Sequence, residues 1–413
     1  MLSNGSHPHG TAQPGTTAPA PNRTSGNWAL LFATMFPQTI MSLVVMTPPV
    51  VADRVIAAVH LPAEATGLYA TLNYSFIAVG TLCSASLIGR LGPLRLSFAC
   101  IAAGGFTMAL FGMASLASVL IATACMGLCY GPLTPASQQA IAGQGPIPNL
   151  ALFLSIRQTA VPLGGVLAGL LIPPLVVAFG LTSAMLIAGA AITLGAVTTG
   201  TALAIVRKEA PPQHVPRAPG LFAPLRLILS ARHLLGLCFA STIYGAMQLI
   251  VSSLLVVFLM AELGRDLILA GIMLGVSQAA AVVGRIAWGF IADRFNALRL
   301  TLGIIGLIMA LACILTGLLT PATPNWVIGA VVFVLGGTAS GWNGVFLANL
   351  MREVEPAQAG FAASGALLFS YLGIVLGPPL FGALALLIGF SNAFLALSLV
   401  ALGGSALCWS PRR

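Results

Sequence analysis

The chain has 413 residues, 58% of them hydrophobic and 6% charged, with a formal net charge of +9. A soluble domain carries roughly 25% charged residues, so a water-soluble globule of this composition is excluded and lipid is the expected solvent. The basic residues sit between apolar runs and form no stripe on a polar domain, which excludes a nucleic-acid surface.

Residues 1–27 are rich in Gly, Pro, Ser, Thr and Asn, cannot bury a core, and are expected to form a disordered cytosolic tail. No separate apolar leader precedes Trp28. From there the sequence presents apolar runs long enough to cross ~30 Å of hydrocarbon, roughly 20 residues each. They are expected near 28–50, 67–88, 95–114, 117–140, 151–175 and 182–206, then 233–260, 268–291, 299–319, 325–349, 360–386 and 391–409. The predicted fold is therefore an all-α membrane protein of twelve transmembrane helices in two six-helix bundles, 28–206 and 233–410. A cytosolic linker, 207–232, joins them; it holds Pro211-Pro212, Pro216 and Pro219 and much of the basic charge.

With the N-terminus inside, only Arg54 and Arg265 fall on the outer side, and only Arg157 and Arg285 within spans. Every other Lys or Arg lies on the inner side, a strong positive-inside asymmetry. Both termini are thus expected in the cytosol, the protein being an integral protein of a bacterial inner membrane. The only lysine, Lys208, follows no glycine loop, so the chain has no P-loop, and no ATPase partner is required. The cysteines form no CxxC, the histidines lack ligand spacing, and no nucleophile–base cluster occurs. No metal, no cofactor and no enzyme activity are expected. The tail and linker are too short for a folded soluble domain, which counts against a membrane sensor.

Membrane transporters often carry internal repeats. Residues 65–92 match 269–296 in place: Gly67 with Gly271, Val79-Gly80 with Val283-Gly284, and Arg90 with Arg294. Gly289-Phe-Ile-Ala-Asp293-Arg294-Phe295 resembles the GxLaDRfG loop that follows spans 2 and 8 in the major facilitator superfamily. The first-half copy, ending Gly89-Arg90-Leu-Gly92, has Gly89 where the family has Asp. The resemblance implies that this loop, with Gly289, Asp293, Arg294, Arg90 and Gly92, takes part in conformational gating. Val161-Pro162-Leu-Gly164-Gly165 in span 5 and Gly373-Ile-Val-Leu-Gly377-Pro378-Pro379 in span 11 resemble in part the antiporter motif of the same family. That adds Pro162, Gly377 and Pro378 as gating candidates, with close helix packing as the plainer reading.

Charge inside a membrane is expensive and therefore informative. All carboxylates lie in loops or at helix ends, so no central proton carrier is visible. Arg157, in span 5, and Arg285, in span 8, are expected at one depth, roughly 9–11 Å from the inner face at 1.5 Å per residue. Spans 5 and 8 neighbour each other in the superfamily fold, so the pair would make an electropositive pocket suited to carboxylates. Arg285 also resembles the span-8 arginine of monocarboxylate and oxalate:formate transporters, although span 11 has no lysine here. Against this stands bonding of either arginine to backbone carbonyls, bracing a gate. Neutral candidates for the lining are Gln38, Asn73, Tyr130, Tyr244, Gln248, Gln278 and Asn343. Tyr244 and Gln248 share a helix face, as do Gln278 and Arg285.

The expected function is a monomeric secondary transporter of a small organic anion, a carboxylate, working by alternating access with a proton as possible coupling ion. A drug or metabolite efflux antiporter is the alternative.

Overall fold

The computed structural model describes residues 23–59, 65–206, 220 and 222–409. Residues 1–22 of the expected tail, residues 207–219 of the linker and Arg412-Arg413 lie outside the described residues.

The first half comprises α1 (Arg23–Val50), a short α2 (Ala52–Val59), α3 (Ala65–Leu91), α4 (Pro93–Phe111), α5 (Leu116–Tyr130), α6 (Leu133–Ala142), α7 (Leu150–Gln158), α8 (Ala160–Phe179) and α9 (Leu181–Val206). The linker contributes α10 (Ala223–Ser230), which sequence reading had as plain connection and which packs on α16 and α11. The second half comprises α11 (Arg232–Ala261), α12 (Leu267–Arg294), α13 (Leu298–Gly317), α14 (Asn325–Ala339), α15 (Asn343–Arg352), a 3-10 turn (Pro356–Gln358), α16 (Ala359–Ile388) and α17 (Phe390–Trp409). Twelve helical segments among them are long and apolar enough to cross a membrane. The protein is an integral membrane protein.

The halves repeat one packing scheme. In the first, span 1 (α1) packs on the second part of span 5 (α8), span 3 (α4) on span 6 (α9), and span 2 (α3) on span 4 (α5). In the second, α11 packs on α16, α13 on α17, and α12 on α14, the same three pairings. The glycines that mark the sequence repeat serve these contacts alike. A Cβ on Gly80 would meet the Leu128 carbonyl of α5, and one on Gly284 the Gly337 carbonyl of α14. The loop after each second span also repeats in having a positive φ at the same place, Gly92 (φ 80°) and Asn296 (φ 48°), which Gly adopts freely and Asn more readily than most residues.

Three spans are broken rather than continuous. Span 4 breaks between α5 and α6 at Gly131-Pro132, span 5 at Thr159, and span 10 at Ser340-Gly341-Trp342. Prolines explain the first two. Pro135 and Pro162 have no N–H to give to the carbonyls of Gly131 and Gln158 four residues back. Those carbonyls are left to other donors, and in a membrane they must find them. Gly131 O accepts from Thr81 Oγ1 of α3 at 3.1 Å.

The extensive contacts between halves involve α3, α6 and α7 on one side and α12, α15, α16 and the 3-10 turn on the other. α7 packs closely on α12 and α15, whereas its continuation α8 packs on α1, α9 and α7. The halves therefore close at the end that carries the basic loops.

Gly373 sets how near α16 comes to α11: a Cβ there would strike the Thr242 carbonyl. Gly373→Leu should lower the thermal unfolding midpoint of the purified protein by several degrees, through overpacking of about 1–3 kcal/mol. Gly382→Leu on the same helix, where a Cβ meets nothing within 4 Å, should leave the midpoint unchanged.

Candidate functional site

The two arginines meet at the breaks. Arg157 is the penultimate residue of α7 and is fully buried. Its Nη1 donates to Gln158 Oε1 at 2.7 Å and its Nη2 to Gln38 Oε1 of α1 at 3.1 Å. Its Nε has no partner. Arg285 projects from α12 in the other half and is 4% exposed. Its Nε donates to Ser340 O at 3.0 Å, at the break of span 10, and its Nη1 reaches Gln158 O at 3.4 Å. Gln158 thus takes one guanidinium on its side-chain oxygen and the other on its backbone oxygen. That backbone oxygen is the one Pro162 leaves without a helical donor.

No described carboxylate compensates either charge. Asp293 and Glu353 lie against Arg352 and Arg299. Glu262 accepts from Phe390 N and Asp266 caps Leu269 N. The Tyr130 phenol, on α5, lies within electrostatic reach of both guanidiniums. Tyr371 on α16 lies in reach of Arg157 and Tyr130, and its ring sits 6.5 Å from that of Tyr74.

The other candidates scatter. Gln38 joins the site through its bonds to Arg157 and to Thr134 Oγ1. Asn343 donates to Gln248 Oε1 at 2.9 Å, so these two tie α15 to α11. Gln278 is exposed, two turns along α12 from Arg285. Two expectations need correction. Tyr244 does not line a cleft: it is 1% exposed, and its hydroxyl donates to Leu302 O at 2.9 Å. Gly306 and Gly404 leave the slot that its ring fills between α13 and α17. Asn73 donates to Thr123 O at 3.2 Å and ties α3 to α5 inside the first half.

Among the gating candidates, Pro162 makes the break of span 5. Gly377 and Gly373 let α16 approach α11, and Pro378 lies inside a continuous α16. Arg90 and Arg294 are exposed helix-end residues. Asp293 has a defined task. Its Oδ2 accepts from the backbone N–H of Leu152 at 2.7 Å, in the first turn of α7, whose own cap residue Asn149 makes no side-chain cap bond. A carboxylate from one half thus caps a helix of the other. Gly289, one turn back, gives α7 room: a Cβ there would meet Ser155 and the Ala151 carbonyl. Where the first-half loop has Gly89 instead of Asp, a different residue caps the partner helix. Gln139 Oε1 accepts from Gly360 N of α16 at 3.0 Å, and Gln139 Nε2 donates to Pro356 O at 3.3 Å. Ser84 and Ser364 bond across the same seam at 2.6 Å.

Sequence reading passed over Gln158 as the meeting point, Ser340 as an acceptor, and Tyr371. A signal for Gln158 was present: it stands four residues before Pro162.

Two related helical halves, closed at one end over a buried polar centre made at helix breaks, define a membrane transporter of small solutes. The family model described as Major Facilitator Superfamily matches residues 27–369 and 237–413, and the chain belongs to that family. By sequence, none of the curated proteins compared with it matches. Among solved structures it is similar to the transporter FucP in the outward conformation, with TM-score 0.75 and 16% identity over 94% of this chain and 98% of that one. A variant of the E. coli fucose:proton symporter FucP aligns with TM-score 0.70, 16% identity and the same coverage. The human organic anion transporter MFSD10 aligns with TM-score 0.69 and 15% identity, over 94% of this chain and 100% of that one.

Removing the Asp293 carboxylate should loosen the closed end. Asp293→Ala is expected to cost about 1 kcal/mol of closure. A cysteine at Ala151, a fully buried position on α7, should then react several-fold faster with a water-soluble maleimide than in the Asp293 parent.

Proposed function

We propose that the protein is a secondary active transporter of a small organic anion, a carboxylate, held between Arg157 and Arg285 and moved by rocking of the two halves. One observation carries the reading: two buried guanidiniums, one from each half, converge on Gln158 with no described carboxylate to neutralise them. Buried charge without a counter-charge is costly, and an anionic cargo supplies the missing charge. Guanidinium forks suit carboxylate oxygens. The cargoes in the titles of the solved structures differ, a sugar with a proton in one and an organic anion in another. The fold therefore does not select the cargo; the arginines do.

The excess of basic residues in the loops at the closed end supports a reading in which that end, and both termini, face the cytosol of a bacterial cell; on this reading the conformation described is outward-open. Arg285 reaches Gln158 across the interface, and opening of the inner end breaks that bond. A bound anion offers the same donors another acceptor, which links cargo to the rocking step. A proton travelling with the anion would balance its charge without a carboxylate in mid-membrane. Drug efflux has no observation of comparable weight behind it, because the glycines of span 11 serve helix contact.

A second reading draws on the bonds themselves. Arg285 donates to two backbone carbonyls, as a gate brace with no contact to cargo would. The two readings part on selectivity. Under anion binding, a carboxylate panel contains members that thermally stabilise the purified protein, and Arg285→Ala loses that stabilisation together with uptake, by at least about thirtyfold, at unchanged expression. Arg285→Lys recovers little, since it lacks the fork. Wild-type uptake by Arg285→Ala, or stabilisation of that variant equal to the parent's, would sink the anion reading and leave the brace.

A further inference from the structure

Behind Arg157 the first half holds a second polar feature, which Arg157 uses only through Gln38 Oε1. On α1, Gln38 and Ser42 stand one turn apart on one face; on α6, Thr134 and Gln138 do the same. The two faces meet where Gln38 Oε1 accepts from Thr134 Oγ1, and the same oxygen accepts from Arg157 Nη2. Spans 1 and 4 run antiparallel, so Ser42 lies one turn to one side of that contact and Gln138 one turn to the other, roughly 12 Å apart along the helices. Gln38 and Ser42 are 1% exposed and Gln138 is fully buried. The Tyr130 phenol lies within hydrogen-bonding reach of Gln38 and Ser42 without meeting the geometry of a bond to Ser42 Oγ or Gln38 Nε2, so Gln138, with both heteroatoms unpaired, is the clearest member of the set.

Several polar atoms of this shelf have no hydrogen-bond partner: Gln38 Nε2, Ser42 Oγ, both side-chain heteroatoms of Gln138, and Arg157 Nε. Each such atom, buried and unpaired, costs a fold about 1–3 kcal/mol. Many buried hydroxyls elsewhere avoid the cost locally, Ser155 Oγ being an exception. Thr34, Thr47, Thr81, Thr123 and Thr316 each donate to the carbonyl four residues back. Ser42 sits in a helix and makes no such bond. Gln138 could be replaced by Leu or Met without losing any bond the structure shows.

The unpaired atoms have a definite chemistry. Gln38 Nε2, Gln138 Nε2 and Arg157 Nε donate, Gln138 Oε1 accepts, and Ser42 Oγ does either. A carboxylate only accepts, so it satisfies the donors alone. An alkyl chain satisfies none of them. Hydroxyls both donate and accept, so a cargo that carries hydroxyl groups along its length matches the set. We propose that Gln38, Ser42 and Gln138 form a hydroxyl-recognising subsite, so that the cargo is a hydroxylated carboxylate: carboxylate toward the arginines, hydroxyl groups toward the shelf. The proposal rests on the anion reading above and narrows it to a substrate class. Buried polar groups built to bond a substrate hydroxyl discriminate strongly against the analogue that lacks it.

The test uses matched acids on the full-length purified protein: gluconate against hexanoate, glycerate against propionate, malate against succinate. Thermal stabilisation and competition for uptake in proteoliposomes are read for each pair. In at least one pair, the hydroxylated member should act at about tenfold lower concentration than its deoxy partner, the size of one good hydrogen bond. In Gln138→Met that preference should collapse toward equality while stabilisation by the deoxy acid persists. The ligand-free melting temperature of Gln138→Met should be unchanged or higher, since no bond is lost; a merely structural glutamine would lower it. Should Gln138→Met fail to fold, Ser42→Ala carries the same expectation. Equal action of both members of every pair on the wild type means that the shelf holds internal water only; it overturns the subsite and leaves the anion reading standing. If no acid of either kind stabilises the wild type, both fall together.

Discussion

A buried guanidinium needs several acceptors, and a regular helix offers few, because each carbonyl already takes an N–H from four residues on and has only its second lone pair left. This constraint organises the centre of the molecule. Arg157 and Arg285 are buried where no described carboxylate reaches them, so their donors go to oxygens released at helix breaks and to two glutamine side chains. Pro162 frees the Gln158 carbonyl, and the break of span 10 presents that of Ser340. The breaks and the arginines form one unit: remove the break and Arg285 loses its acceptors; remove the arginine and buried carbonyls lose a donor. Because Gln158 belongs to one half and Arg285 to the other, the same bonds hold the halves together.

The closed end rests on two helix caps that cross between halves. Asp293 caps α7, and Gln139 caps α16. The halves are related, but the caps differ in kind. One is a carboxylate on a positive helix end, in contact with Arg352 as well; the other is a neutral amide. A charged cap gains from the helix dipole and a neutral one gains less. The seam is thus stronger on the side of α7, which is also the side that carries Arg157. Small residues make the approach possible, with Gly289 and Gly344 both lying against Ser155.

The number of spans was legible because hydrocarbon thickness sets a length, and the apolar runs meet it one after another. The repeat was legible through positions where geometry tolerates few residues. Gly80 and Gly284 lie at close backbone contacts, and Gly92 and Asn296 both have a positive φ. The arginines stood out because charge is rare in a span. Tyr244 misled for the same kind of reason. A tyrosine one turn from Gln248 looks like cavity lining, but its phenol found a carbonyl inside its own half. Periodicity tells which residues share a face, and not which neighbour that face meets. The helix α10 escaped notice because Pro-rich sequence surrounds it and it is short.

By itself, then, the sequence determined an α-helical membrane protein in two related halves, with two intramembrane arginines and no central acid. Local composition suffices for that, since lipid leaves a backbone few options and makes each charge conspicuous. Only the tertiary structure decided that the arginines share Gln158, that Asp293 and Gln139 cap helices of the opposite half, and that Gln38 Nε2, Ser42 Oγ and the Gln138 amide are left unpaired. Those are relations between elements more than a hundred residues apart in several cases. They are fixed by which helices pack at the closed end, and no pattern along a single helix carries that information.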